Sequence, residues 1–413
     1  MSDASKTVRK RNVFYFGGYE KASAAHQYRR LTRELARFEE TWNVRALPGA
    51  PETDSDHSVL TWPIVTEAPN WRVDTRFHYC AWNDLIEEDF ARPDYRAIPA
   101  GIGSLFDFVL TGTAFRYFAV AWRYGLFFSY ALVLTALFAL AAAAIVWGVA
   151  RLGVPMPWYL AAPLWLAVFW GLLRWPGDRF HTRYMLNDWS FASAVAWDRR
   201  PSYRARLDTF AALFAQTSKA GDADETLIVG HSLGAVLAVE SLAAALRRDP
   251  ELARTAPPIT LMTVGSSLLK VGLHPRAQSL RQAVEEVLDA PEVAWIDYTS
   301  VVDVLNFYRS DPVRVLKLKA ARAPVIRTVK IRAMLGKQIY RRFRYNFLRL
   351  HRQFVMGNTM RYHYDFYMSC CGPMAQAARI ENPTLSVDNF AEDGTYLPAL
   401  GEADSPGRAA TGG

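Results

Sequence analysis

The stretch that decides the fold is "ETLIVGHSLGAVLAVESLAAALRR", residues 225 to 248. Its first part is a continuous apolar run of strand length, and its second part is an apolar, Ala-rich helix. Between them stand Gly230, His231, Ser232, Leu233 and Gly234. A strand that enters a helix through G-x-S-x-G needs small residues two before and two after the serine, because larger side chains would collide with neighbouring backbone in so tight a turn. Ser232 is therefore a candidate nucleophile, and Gly230 and Gly234 are the elbow glycines. The alternative is a small polar residue at an ordinary turn, and the rest of the chain has to supply a base, an acid and oxyanion donors.

The strands around this unit alternate with helices. "NVFYFGG" (12–18) reads as a short buried strand ending in two glycines, and "SAAHQYRRLTRELARFEETW" after it has helical spacing. "RVDTRFHYCAW" (72–82), "PPITLMTVGSS" (257–267) and "EVAWIDYTS" (292–300) read as further strands, with helices over "SYRARLDTFAALFAQTSKAG" and near 275–289. This alternation predicts an α/β fold whose sheet is mostly parallel and has helices on both faces. No internal repeat interrupts it.

With 413 residues, 51% of them apolar, the chain can bury a large core. Cys80, Cys370 and Cys371 offer neither a disulfide framework nor a metal-binding spacing, so a reducing compartment and no metal are expected. The opening "MSDASKTVRKRNVFYFGG" lacks the apolar segment of a secretory signal, and export is not expected. The net charge is +8, yet residues 314–361 hold 14 Lys or Arg and no Asp or Glu, leaving the remainder net acidic. Such a block suits a negative partner.

A second strong signal is "YGLFFSYALVLTALFALAAAAIVWGVA", 27 uncharged residues between Arg123 and Arg151. That exceeds the roughly 20 residues a helix needs to cross hydrocarbon. "LGVPMPWYLAAPLWLAVFWGLL" (152–173) follows, with Pro155 and Pro157 at the turn and Trp158, Trp170 and Trp175 suited to the membrane interface. A transmembrane hairpin is expected, with spans at about 124–150 and 156–174, inserted over 104–184 into a domain made of 1–103 and 185–380; the second helical part is slightly short, and a partly re-entrant hairpin is the alternative. Arg116 and Arg123 before it, and Arg174, Arg179 and Arg183 after it, outnumber Arg151 in the loop. The positive-inside bias thus puts both ends in the cytoplasm. An integral protein of a bacterial inner membrane with a cytoplasmic domain is the expectation. The Pro- and Gly-containing 381–413 is expected to be a flexible tail.

In its elbow and context the chain resembles the α/β-hydrolase superfamily, and GHSLG is similar to the form in lipases and esterases. The resemblance covers roughly 12–30 and 205–370, and the hairpin is foreign to the common fold. It implies the chain order nucleophile, acid, histidine. His363, in the polar-aromatic "NTMRYHYDFYMS", is the expected base, whereas His351 falls in a basic helical pattern that reads as surface and His274 comes too early. Asp303, just beyond the strand "VAWIDY", is the expected acid, ahead of Asp297 within the strand and Asp311. The oxyanion donors would be the backbone N–H of Leu233 and that of Gly18 or Tyr19 in "FGGYE".

Within the basic block, Tyr340, Phe343, Phe347, Leu350 and Phe354 recur at helical spacing, with Arg341, Arg342, Arg344, Arg349 and Arg352 largely off that stripe. Such an amphipathic helix suits either an anionic leaflet or a place on the sheet with a solvated basic face, rather than a nucleic-acid surface. Together these readings imply a membrane-anchored serine hydrolase acting without cofactor on an acyl ester of a lipid. A catalytically silent membrane scaffold and an acyltransferase are the alternatives.

Overall fold

A computed structural model describes residues 7–53 and 58–397. Its strands are β1 (Lys10–Phe16), β2 (Arg45–Pro48), β3 (Glu52–Thr53), β4 (Val59–Ala68), β5 (Trp71–Cys80), β6 (Glu225–His231), β7 (Ile259–Val264), β8 (Val293–Thr299) and β9 (Val325–Thr328). They form one sheet in the order β2-β4-β5-β1-β6-β7-β8-β9, with β3 beside β4. From β5 to β9 every pairing is parallel, and the β2–β4 and β4–β5 edge is antiparallel. The mostly parallel α/β sheet expected from the alternation is present.

Because the sheet is covered on both sides, its central strands are apolar at successive positions and not only at alternate ones. Phe14, Phe16, Ile228 and Leu261 pack into one core with α-helices α7 (Pro201–Ala220), α8 (Gly234–Arg248) and α10 (Gln278–Asp289). Val13, Tyr15, Val229 and Met262 pack into the other with α1 (Ala24–Trp42) and the chain beyond β9. The strand "VLTWPIVTEA" (59–68) adds to those expected from the alternation and carries a proline. Pro63 is tolerated because its nitrogen faces the gap between β3, which pairs with Leu60 and Thr61, and β2, which pairs from Ile64 on, so no ladder bond to β5 is lost.

The chain between β5 and β6 holds the insertion. It comprises α2 (Asp94–Leu110), α3 (Thr113–Val120), α4 (Trp122–Arg151), α5 (Trp158–Arg174) and α6 (Thr182–Ala196). At 30 residues, α4 is long and apolar enough to cross a membrane, whereas α5 has 17. The expected second span is thus shorter than the roughly 20 residues of a full crossing. The two lie side by side, with Trp165 Nε1 donating to the Ala139 carbonyl at 3.0 Å.

Two further expectations are corrected. The apolar stripe from Tyr340 to Phe354 is not one helix: α11 (Ile331–Phe343), itself kinked at Gly336, ends before α12 (Phe347–Arg352) begins; α9 (Leu268–Gly272) is the short helix after β7. Asn346 caps α12 by accepting from the Arg349 N–H, which fixes the break. The described part of the expected tail, up to residue 397, is folded against the domain. Phe390 is buried beside Trp42, and Trp71 Nε1 donates to the Gly394 carbonyl at 2.9 Å. Residues 398–413 lie outside the described residues.

Candidate active site

Ser232 sits where β6, in the middle of the sheet, turns into α8. Its φ is +55°, a left-handed backbone conformation that costs a non-glycine residue of order 1–3 kcal/mol and persists only when its surroundings enforce it. Those surroundings are tight. A Cβ on Gly230 would stand 2.5 Å from the Ala235 Cα, and one on Gly234 would collide with the carbonyl oxygens of Phe16 and Gly17. The elbow glycines therefore let α8 pass directly over the end of β1.

That close passage brings the "FGGYE" loop to the serine. A Cβ on Gly18 would meet the Ser232 Cβ at 3.0 Å and its Oγ at 3.4 Å. Among the described residues, the backbone N–H groups of Gly18, Tyr19 and Leu233 have no acceptor. Leu233 lies at the amino end of α8, where unpaired N–H groups and the helix dipole favour negative charge. The loop is pinned from behind, since Tyr19 Oη donates to Asp89 Oδ2 at 2.8 Å and Tyr184 Oη donates to the Tyr19 carbonyl.

Asp303 lies in the loop after β8, fully buried, with Oδ1 accepting the Leu305 N–H at 2.9 Å. Its Oδ2 is 2.8 Å from Nδ1 of His351, not of His363. His351 is buried at the end of α12, and its Nε2 has no partner among the described residues. A carboxylate at Nδ1 holds that proton there and leaves Nε2 as the acceptor. His363, the expected base, is elsewhere: its ring lies against that of Tyr362, centroids 4.1 Å apart and planes tilted by 45°, and it does not line the cavity that holds Ser232. Burial, then the nearby Arg379 and Arg327, press its imidazole down to about 4.

Ser232 and His351 both line one cavity of about 190 Å³, together with Gly18, Tyr19 and Leu233. In this structure Ser232 Oγ hydrogen-bonds Ser267 Oγ at 3.5 Å and makes no bond to His351. His231 packs on the other side of His351, ring centroids 4.8 Å apart; burial first, and that neighbour second, hold it well below the ordinary histidine value. The floor carries a buried pair that was not anticipated: Lys270 of α9 and Asp188 of α6, with the ammonium 4.1 Å from the Trp189 ring. Glu20 and Arg352 stand at the rim, 3.6 Å apart.

The other acids fall away from this cavity. Asp297 is buried and accepts from Thr263 Oγ1 at 2.6 Å, and burial raises its carboxyl to about 7. Asp311 caps a short helix by accepting the Val313 N–H. Of the five arginines placed on a membrane face, Arg341, Arg342 and Arg344 are exposed, while Arg349 donates to Gln353 Oε1 and Arg352 turns to Glu20.

The constellation comprises a strained serine at a helix amino end, unpaired backbone N–H groups beside it, and a buried carboxylate–imidazole pair with one free ring nitrogen. Such a set can activate a hydroxyl and stabilise an oxyanion. No protein-family model matches the chain, and no curated protein or solved structure shows significant similarity to it.

Proposed function

We propose that the protein is a membrane-anchored serine hydrolase of α/β-hydrolase type that cleaves an acyl ester, with Ser232 as nucleophile, His351 as base and Asp303 as the orienting acid. The observation that carries the reading is the 2.8 Å Asp303–His351 pair opening onto the cavity of a positive-φ serine. Ser232 Oγ attacks the acyl carbon while His351 Nε2 takes its proton. The carbonyl oxygen becomes an oxyanion facing the N–H of Leu233 and that of Gly18 or Tyr19. Collapse expels the alcohol, which takes the proton back from the imidazolium. Water, deprotonated by His351, then releases the acid and regenerates Ser232. The mechanism requires Ser232 Oγ to exchange its contact with Ser267 for one with His351 Nε2 when substrate binds, and such bonds are commonly loose without ligand.

The lipid character of the substrate is supported by placement. The cavity wall includes Tyr124 and Phe127 from the first turns of α4, the membrane-length helix. A site built against the foot of such a helix meets acyl chains at their polar end.

The deciding experiment is fluorophosphonate labelling of the detergent-solubilised full chain. The native protein and His363→Ala should label strongly. Ser232→Ala should not label at all, and His351→Ala should be slowed by about 10³-fold. Loss of labelling in His363→Ala with retention in His351→Ala would overturn the assignment of the base. No labelling of folded native protein would turn the reading to a silent scaffold.

A further inference from the structure

Helices α2 and α3 present a surface that the hairpin does not account for. One face of α2 buries Ala97, Ile98, Leu105 and Phe108. The opposite face is apolar too: Phe106 is 54% and Leu110 83% exposed, and Phe115 of α3 is 69% exposed. The acids of α2 are satisfied by neighbouring helices. Asp107 accepts from Ser193 Oγ and Trp197 Nε1, and Asp94 accepts from Trp170 Nε1 and pairs with Arg174 at 2.9 Å. A helix apolar all round belongs in a core or in hydrocarbon. At 17 residues α2 is only about 25 Å long, and α3 leaves it at a bend of 67°, so the pair does not make a straight crossing.

Continuity says what covers this face. The α3 helix runs into α4 at Ala121, and a groove of about 1070 Å³ between α2 and α5 is lined by Tyr95, Ile98, Phe106, Leu166 and Trp170. Guanidinium groups lie over aromatic rings at the groove, Arg96 over Tyr95 and Arg174 over Trp170 at 5.5 and 5.7 Å, and again at the start of α4, Arg123 over Trp122 at 4.8 Å. Aromatic rings with attached cations suit the headgroup level of a bilayer. Tyr124 and Phe127, which wall the cavity, lie on the first turns of α4 just past Arg123, and Phe127 touches Phe347 of the segment leading to His351.

We infer that α2 and α3 lie in the headgroup and upper acyl region of the leaflet from which α4 departs, and that the Ser232 cavity opens at that depth and takes an amphiphilic acyl substrate sideways from that leaflet. The second half of this inference rests on the hydrolase reading above; the first half does not. The apolar wall of Phe127 and Leu348 would face the acyl chain, and Glu20 and Arg352 at the rim would face its polar end.

The test uses the full chain in vesicles of phosphatidylcholine and phosphatidylglycerol. A Phe115→Cys variant carrying a bimane label can be made selectively, because Cys80, Cys370 and Cys371 are buried. Quenching by shallow doxyl lipid, with protection from aqueous iodide, is the expected result. Quenching by iodide alone would overturn the placement, and so would protection from both, which would mean that a second copy of the chain covers the face. Independently, the triple variant Phe106→Glu, Leu110→Glu, Phe115→Glu should lose about tenfold in turnover of a long-chain ester carried in vesicles, while fluorophosphonate labelling and turnover of a soluble butyrate ester stay within about twofold. Equal loss on both esters, or on neither, would overturn sideways entry. If native Ser232 does not label, the hydrolase reading fails, whereas bimane quenching still judges the position of α2 and α3.

Discussion

Asp297 and Asp303 stand on one strand and its following loop, and their surroundings give them opposite tasks. Asp303 faces His351 Nδ1 and is held by a backbone N–H, whereas Asp297 accepts from Thr263 Oγ1. Asp303→Asn should lower kcat by roughly 10²–10⁴ through loss of the correct imidazole tautomer, measured by acyl release and labelling rate. Asp297→Asn should leave both within about twofold, since a positioned acid has to touch the base to matter. The same residue sets a pH test. Its folded value of about 7 is above its ordinary 3.8, so the native state binds the extra proton between those values. The stability it contributes is present at low pH and is lost as pH rises through 7. The melting temperature of the wild type should therefore fall relative to Asp297→Asn between pH 5 and pH 8. His351 against His363 is the corresponding lesson in reading sequence. His351 lies four residues after Phe347 and three before Phe354, both members of the apolar stripe, so helical spacing already turns it inward. The surrounding arginines hid that signal, and a conspicuous aromatic neighbourhood drew attention to His363 instead.

At the scale of elements, the passage of α8 across the end of β1 builds the site. Gly234→Ala would drive a methyl into the carbonyl oxygens of Phe16 and Gly17, pushing the Gly18–Tyr19 loop away from Ser232. A loss of about 1–3 kcal/mol in stability and a fall in labelling rate larger than the change in soluble-ester KM are expected, measured by thermal melting and kinetics. The basic block, by contrast, is broken into separate elements whose arginines stand in different surroundings. Arg341, Arg342 and Arg344 are exposed, and changing all three to Gln should weaken, in a salt-dependent manner, the enrichment of phosphatidylglycerol around the full chain reconstituted in mixed phosphatidylcholine–phosphatidylglycerol vesicles. Soluble-ester turnover should be unaffected, because these residues do not line the cavity. The block's helix α12 delivers His351, and its cap at Asn346 fixes where that delivery begins. Periodicity gave a single amphipathic helix here because the stripe continues across the break, and the break is set by a side-chain cap that hydropathy does not register.

Across the whole molecule, one buried pair ties the first strand to the last described segments. Arg11 of β1 bonds Glu225 of β6 at 2.5 Å and donates to the carbonyls of Gly372 and Met374, and Glu225 accepts the Gln376 N–H. Arg11→Met should cost about 3–5 kcal/mol by stranding a buried carboxylate, and the double change Arg11→Met, Glu225→Leu should recover part of it, read by chemical denaturation. Neither partner was legible as special in sequence, since charged residues at the start of strands are ordinary. Much else was legible. The run from Glu225 to Arg248 specified a strand, an elbow and a helix, because hydrophobic period and steric demand for glycine are local properties. The alternation of strands with helices specified a parallel sheet covered on both faces, and the uncharged run after Arg123 specified a membrane-length helix. What the tertiary structure alone decided is which histidine meets Asp303, where the chain after β9 returns to the sheet, and that Phe106, Leu110 and Phe115 of α2 and α3 stay exposed. Those depend on which residues distant in the chain become neighbours. That is settled by packing the whole set of faces at once, not by the period of any one of them.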